Sequence, residues 1–110
     1  MKMPNGAFAV VEVEKLRDYC LNPDHLRGRH KARVFAAALG LILENTEELR
    51  IALVDAARTD EAAPMDQDEY GQRYILDFIM HGPKASGKVR SSWIIRNGED
   101  FPRLTSCYVL

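Results

Sequence analysis

Two cysteines in 110 residues are too few for a disulfide framework. Cys20 and Cys107 sit near opposite ends of the chain, with no CxxC pairing and no Cys/His ligand spacing. They read as reduced, partly buried thiols of a cytoplasmic protein, and neither a disulfide nor a zinc site is expected. Long apolar runs are missing too. The N-terminal stretch is apolar only from Ala7 to Val11 before Glu12 interrupts it. That is too short for a signal peptide's apolar region or a bilayer span, so no membrane role is expected. Net charge is nearly absent, at −1, which departs from the overall basicity usual in nucleic-acid binders. Histidines are scarce. His25, His30 and His81 have no ligand-like spacing, so no metal and no other cofactor are expected. Internal repeats and low-complexity tracts are absent as well.

What remains is ordinary globular material, 46% hydrophobic and 28% charged, enough to bury a core as one domain over residues 1–110. Charge is concentrated rather than plentiful. Asn22 to Phe35 crowds Arg27, Arg29, Lys31 and Arg33 around His25 and His30, against Asp24 alone. Glu44 to Glu69 is strongly acidic, and Lys84 to Arg103 is basic again. A cationic cluster on a near-neutral chain suggests a site for an anion such as phosphate or nucleic acid. The plainer reading is a set of solvated faces that maintain solubility.

Periodicity places these segments. Val13, Leu16, Tyr19 and Cys20 form one helical stripe over about 12–21, ended by Asn22-Pro23. Ala32, Phe35, Ala36 and Leu39 form another over about 28–39, with Gly40 as terminator. Asn45 reads as the N-cap of a third helix, with Glu48 three residues on. The helical half therefore covers about 12–58. Residues 59–70, acidic and containing Pro64, read as a mobile loop. From Gln72 the period becomes two. Strands over 72–81, 88–97 and 103–109, joined by short turns, predict an antiparallel meander. The fold class expected is α+β, with the N-terminal helices on one face of a sheet of three or four strands.

Pairing Met80 with Val89 and Leu76 with Trp93 gives the sheet an apolar face for the helices. The opposite face then gathers Asp77, Arg90, Ser92 and Arg96. Arg103, Thr105 and Cys107 join them if the last strand has no bulge. Arginines and hydroxyls recurring there make a candidate phosphate surface; the plainer reading is an ordinary solvated face, and Ile75, Ile79 and Ile94 show that it is not purely polar. Gly82 to Val89, GPKASGKV, imitates a nucleotide loop. It lacks the Ser/Thr after the lysine and the following helix, so it reads as a hairpin turn. His30, near the start of its helix and on its outward side, has the access a general acid or base needs. His25 fits the turn, and His81 a strand end.

Several blocks act together: KLRDYCLNP at 15–23, GRHKARVF at 28–35, YGQRYILDF at 70–78 and WIIRNGEDFPRLTS at 93–106. They resemble a bacterial domain family of unassigned activity, whose members also occur at the C-termini of polymorphic toxins. The architecture is similar to barnase-like and colicin-type ribonuclease toxins, where a ribose 2′-hydroxyl attacks the adjacent phosphate without a metal. That likeness implies a small ribonuclease-like toxin acting on RNA in the cytoplasm, with a cognate inhibitor as protein partner. His30, Arg103 and Thr105 would be its catalytic residues, and Arg29, Lys31, Arg33, Arg90, Ser92 and Arg96 its phosphate-binding residues. No glutamate falls on the expected sheet face, a departure from that pattern. The alternative is a non-enzymatic interaction module, an immunity or antitoxin partner, steered by the acidic stretch 44–69.

Overall fold

The structure, a computed structural model, describes residues 1–110 as helices packed on one face of a four-stranded antiparallel sheet. Helix α1 begins at Val13–Lys15 and ends in a wide π turn over Leu16–Cys20. The i→i+5 spacing brings Leu16, Cys20 and Leu21 all into the core. Helix α2 runs through Arg29–Val34 and likewise ends in a π turn, Phe35–Leu39, with Ala32, Phe35 and Leu39 inward. Gly40 closes it at φ 75°, the left-handed conformation that favours glycine. Helix α3, Thr46–Thr59, buries Leu49, Leu53, Ala56 and Ala57. Asn45 holds its N-cap position, as expected, but its side chain makes no capping bond to the first-turn N–H groups. Its Oδ1 accepts from the Ile42 N–H, and its Nδ2 donates to Glu48.

The strands are β1 (Ala63–Asp68), β2 (Gly71–His81), β3 (Ser86–Arg96) and β4 (Arg103–Val109), in sequence order across the sheet. The acidic stretch expected to be a loop thus contains an edge strand. It is exposed at every position, so it has no apolar alternation to betray it, and Pro64 is tolerated because only one side is paired. The β2–β3 register is two residues from the one expected: Met80 faces Gly87, Phe78 faces Val89 and Tyr74 faces Trp93. A slip of two keeps every side chain on its face. Tyr74, Leu76, Phe78, Met80, Val89 and Trp93 accordingly join the helices in one core.

Trp93 is fully buried, and its Nε1 donates to Ser91 Oγ at 2.8 Å. Ser91 Oγ in turn donates to the Leu76 carbonyl at 2.7 Å. The GPKASGKV turn folds back on α2: Lys84 Nζ and N donate to the carbonyls of Ala37 and Leu39. A lysine on the last carbonyls of a helix complements their partial negative charge. His25 and His81 both serve the backbone frame. His25 Nδ1 accepts from the N–H groups of Arg27 and Gly28, and His81 Nδ1 bonds Ser86 Oγ across the hairpin.

Candidate functional site

The expected free-face site splits when its partners are traced. Arg90 forms a two-pronged pair with Asp77, at 2.9 Å on each side. Arg103 does the same with Glu99 at 2.9 and 3.0 Å, with Glu12 at 3.7 Å behind it and Phe101 5.0 Å under the guanidinium. Each arginine holds its carboxyl below the usual range. These two cations are largely neutralised. Thr105 donates its hydroxyl to the Ser92 carbonyl at 3.0 Å, a contact within the sheet. Arg96 is exposed on β3; its charge adds to the hold on Glu99, but it forms no ion pair of its own. Arg29, His30 and Arg33 are exposed on α2, and no hydrogen bond or ion pair joins them to Arg96 or Arg103.

A bulge decides the rest. Between Ser92 and Trp93 the β3–β4 register shifts, so Leu104 faces Trp93 while Cys107 faces Ser91. Cys107 therefore lies in the core, fully buried, instead of on the free face where an unbroken strand would put it. Ser106 and Tyr108 are left half-buried at the outer edge of the sheet, where β4 meets the helices.

Lys31 of α2 reaches that edge. Its Nζ donates to Ser106 Oγ at 3.0 Å and stands 3.5 Å from the Tyr19 hydroxyl. It also lies 5.2 Å from the Tyr19 ring and 5.6 Å from the Tyr108 ring, close enough for cation–π attraction. No carboxylate pairs with it. The Tyr108 phenol also stands beside Arg90, which links this edge to the Arg90–Asp77 pair. Below lie the two thiols. The Cys20 pKa is lowered to about 7 by the neighbouring Cys107 thiol, with the Cys107 N–H, the Lys31 charge and the Ser106 hydroxyl adding to it.

Local sequence explains the assembly. Gly28 lets α2 start against the end of α1, since a Cβ there would sit 2.3 Å from the Tyr19 carbonyl oxygen. The π turn presents Tyr19 and Cys20 on successive positions, and His25 packs edge-on against Tyr19 at 4.8 Å. Of the residues expected from sequence, Lys31 and Arg90 both border Tyr108, without touching each other. Tyr19, Ser106 and Tyr108 were missed, because they reach the site through tertiary contact and a bulge. The apolar parity break from Leu104 to Cys107 was the available signal. The cluster offers one cation, three hydroxyls and a flanking ion pair, suited to bind and polarise an anionic oxygen. Nowhere do three metal-ligating side chains converge.

A family model matches residues 2–110, a domain of unknown function, DUF6883. The chain belongs to that family. Comparison with curated proteins gives no match. Among solved structures, it is similar to a chain of a contact-dependent growth inhibition toxin–immunity protein complex from Klebsiella pneumoniae 342. The TM-score is 0.70 at 15% identity, over 92% of this chain and 99% of that one. At that identity the likeness concerns the fold, and it makes this DUF6883 domain a relative in architecture. No helix of the domain is long and apolar enough to cross a membrane.

Proposed function

We propose that this DUF6883 domain is the toxin half of a toxin–immunity pair and that it cleaves RNA phosphodiesters with its own side chains. The observation that carries the reading is Lys31: a half-buried cation held on hydroxyls, with no carboxylate to neutralise it. An uncompensated charge in a partly desolvated site is costly for stability and useful for a developing anion. The fold likeness to a chain of a toxin–immunity complex supports membership of such a pair, on either side of it.

In this reading the ribose 2′-hydroxyl attacks the adjacent phosphorus, and Lys31 stabilises the charge on the phosphate oxygens. Ser106 and the two phenols orient that phosphate. His30 takes the 2′-hydroxyl proton. It is the one histidine not engaged in holding a turn or hairpin, and it neighbours Lys31 in the chain. Arg96, unpaired on β3, meets a phosphate further along the strand. Arg103 and Thr105 keep Glu99 and β3 in place rather than touching RNA. Products should carry a 2′,3′-cyclic phosphate and a 5′-hydroxyl.

Controlled expression in bacteria tests the reading: growth should arrest, and the purified domain should cut RNA to 5′-hydroxyl ends. Harmless expression with intact RNA would favour the second reading, an immunity-type binding module. That alternative rests on the exposed edge strand β1 and its surroundings, where Asp60 and Asp66 would meet a basic partner.

A further inference from the structure

We infer that the cleft between Phe8 and Phe101 is a base-binding subsite, which takes an unpaired guanine of single-stranded RNA next to the cleaved phosphate. The ligand's identity as RNA rests on the ribonuclease reading. Phe8, Val10, Asp100 and Phe101 line this cleft of about 350 Å³, apart from the side chains around Lys31. Phe8 is the most exposed aromatic ring of the chain, at 72%. Its backbone is nonetheless fixed on both sides. A Cβ on Gly6 would collide with the Ala57 carbonyl, so the 3₁₀ turn Gly6–Phe8 sits directly on α3. The Val10 N–H donates to the Pro102 carbonyl at 2.9 Å and the Leu104 N–H to the Val10 carbonyl at 3.0 Å, which adds this segment to the free edge of β4. Asn5, in the left-handed region at φ 51°, donates its Nδ2 to the Asp100 carbonyl at 2.6 Å. These bonds tie the two walls together before a ligand arrives, which lowers the ordering cost of binding.

Aromatic faces hold bases by stacking, and every base has such a face. What selects among them is Asp100, whose carboxylate is exposed at the cleft and enters no ion pair. A carboxylate only accepts hydrogen bonds. Guanine offers N1–H and N2–H side by side, one for each oxygen, whereas uracil flanks its N–H with two carbonyls that the carboxylate repels. Adenine and cytosine present one amino group beside a ring nitrogen that is also an acceptor. A guanidinium from a protein partner would stack and pair there too, but Phe101 already has a cation. The Arg103 guanidinium lies 5.0 Å from its ring centre and is held there by Glu99. A second cation beside the first meets its repulsion, and a neutral base does not. Position points the same way. Arg103 opens β4, and Ser106, which receives Lys31, follows about 10 Å along the strand. A base held in the cleft leaves an adjoining phosphate within reach of Lys31.

The test titrates the intact domain with 5′-GMP, 5′-UMP and inorganic phosphate and follows the backbone amides by NMR. GMP should shift the amides of Phe8, Val10, Asp100 and Phe101 and bind at least about fivefold more tightly than UMP, the worth of one extra hydrogen bond. Phosphate alone should leave those amides unmoved. Phe8→Ala removes an exposed ring, so it should keep the melting temperature and weaken GMP binding by about fivefold to a hundredfold, the range for one base stack. Asp100→Asn should keep the fold and bring GMP down to the affinity of UMP. Amides that ignore GMP, an equal response to phosphate, no preference over UMP, or GMP binding that survives Phe8→Ala would each overturn the proposal. So would tighter binding of N-acetyl-arginine amide, which would give the cleft to a protein partner. None of these readouts requires cleavage. A domain that binds GMP there yet cuts no RNA keeps the subsite and loses the ribonuclease reading; one that cuts RNA equally well with and without the Phe8 ring does the reverse.

Discussion

Replacing Lys31 with methionine should separate function from stability, because the two respond to the same charge with opposite sign. Methionine retains most of the lysine stem's apolar contact with Tyr19 and Tyr108 while removing the ammonium. In the folded protein the substitution loses two cation–π contacts, at about 0.5–1 kcal/mol each in a half-exposed setting. It also loses a hydrogen bond to a neutral hydroxyl, worth about 1 kcal/mol net. Against this, a half-desolvated cation with no carboxylate partner is removed, which offsets a similar amount. The net change in stability should stay within about 1 kcal/mol. Ser106 is only half-buried, so its hydroxyl can turn to solvent once the ammonium is gone.

Catalysis has no such offset. A single positioned charge on a developing phosphate anion is worth about 3–4 kcal/mol of barrier, or roughly a hundredfold to a thousandfold in rate. The Lys31→Met protein should therefore melt like the wild type by circular dichroism, cut RNA at least about a hundredfold more slowly and permit growth when expressed. A cleavage rate within about threefold of wild type would remove Lys31 from the chemistry. So would a loss of more than about 2 kcal/mol in stability with a rate that falls only in step with the folded fraction, because Lys31 would then be a structural tether.

Trp93→Ala should destabilise the domain by about 3–5 kcal/mol in urea unfolding, because it empties a fully buried site and leaves Ser91 without its indole donor; a loss under about 1 kcal/mol would contradict that burial. Gly28→Ala should cost about 1–3 kcal/mol and slow RNA cleavage, since its Cβ would drive α2 away from the Tyr19 carbonyl and carry Lys31 with it; unchanged midpoint and rate would show that the helices adjust freely. The carboxyls of Asp77, Glu99 and Asp68 are held low by Arg90, Arg103 and Arg73, so their stabilisation is complete above the unfolded carboxylate range, begins to fall as pH drops below about 4 and is lost as pH passes down through the depressed folded values. Melting temperatures measured down that range should drop accordingly, with a shallower fall in Asp77→Asn, and an identical profile in that variant would rule out the Asp77–Arg90 pair as a contributor. His30→Ala should abolish RNA cleavage with no change in melting temperature, and full retained activity would assign the proton transfer elsewhere.

How much of this was legible in the chain depends on which physical signal each element carries. The period-two alternation of β2 and β3 assigned faces correctly even though the register was displaced by two, because parity survives an even slip. The helices were legible for a similar reason: Phe35 and Leu39, or Leu49 and Leu53, are buried at helical spacing. Strand β1 carries no such signal. Every residue from Ala63 to Asp68 is exposed, and its pairing is specified by β2 rather than by its own side chains. The site depended on the least legible feature of all, one extra residue in β4. That bulge turns Cys107 into the core and leaves Ser106 to receive Lys31. Arg90 and Arg103, prominent among the charges of the sequence, are bound by carboxylates, Asp77 across the β2–β3 pair and Glu99 four residues before Arg103, while a lysine on another layer is left without one. Composition counts charges, but only the fold decides which of them is uncompensated, and an uncompensated one is what an anionic substrate can use.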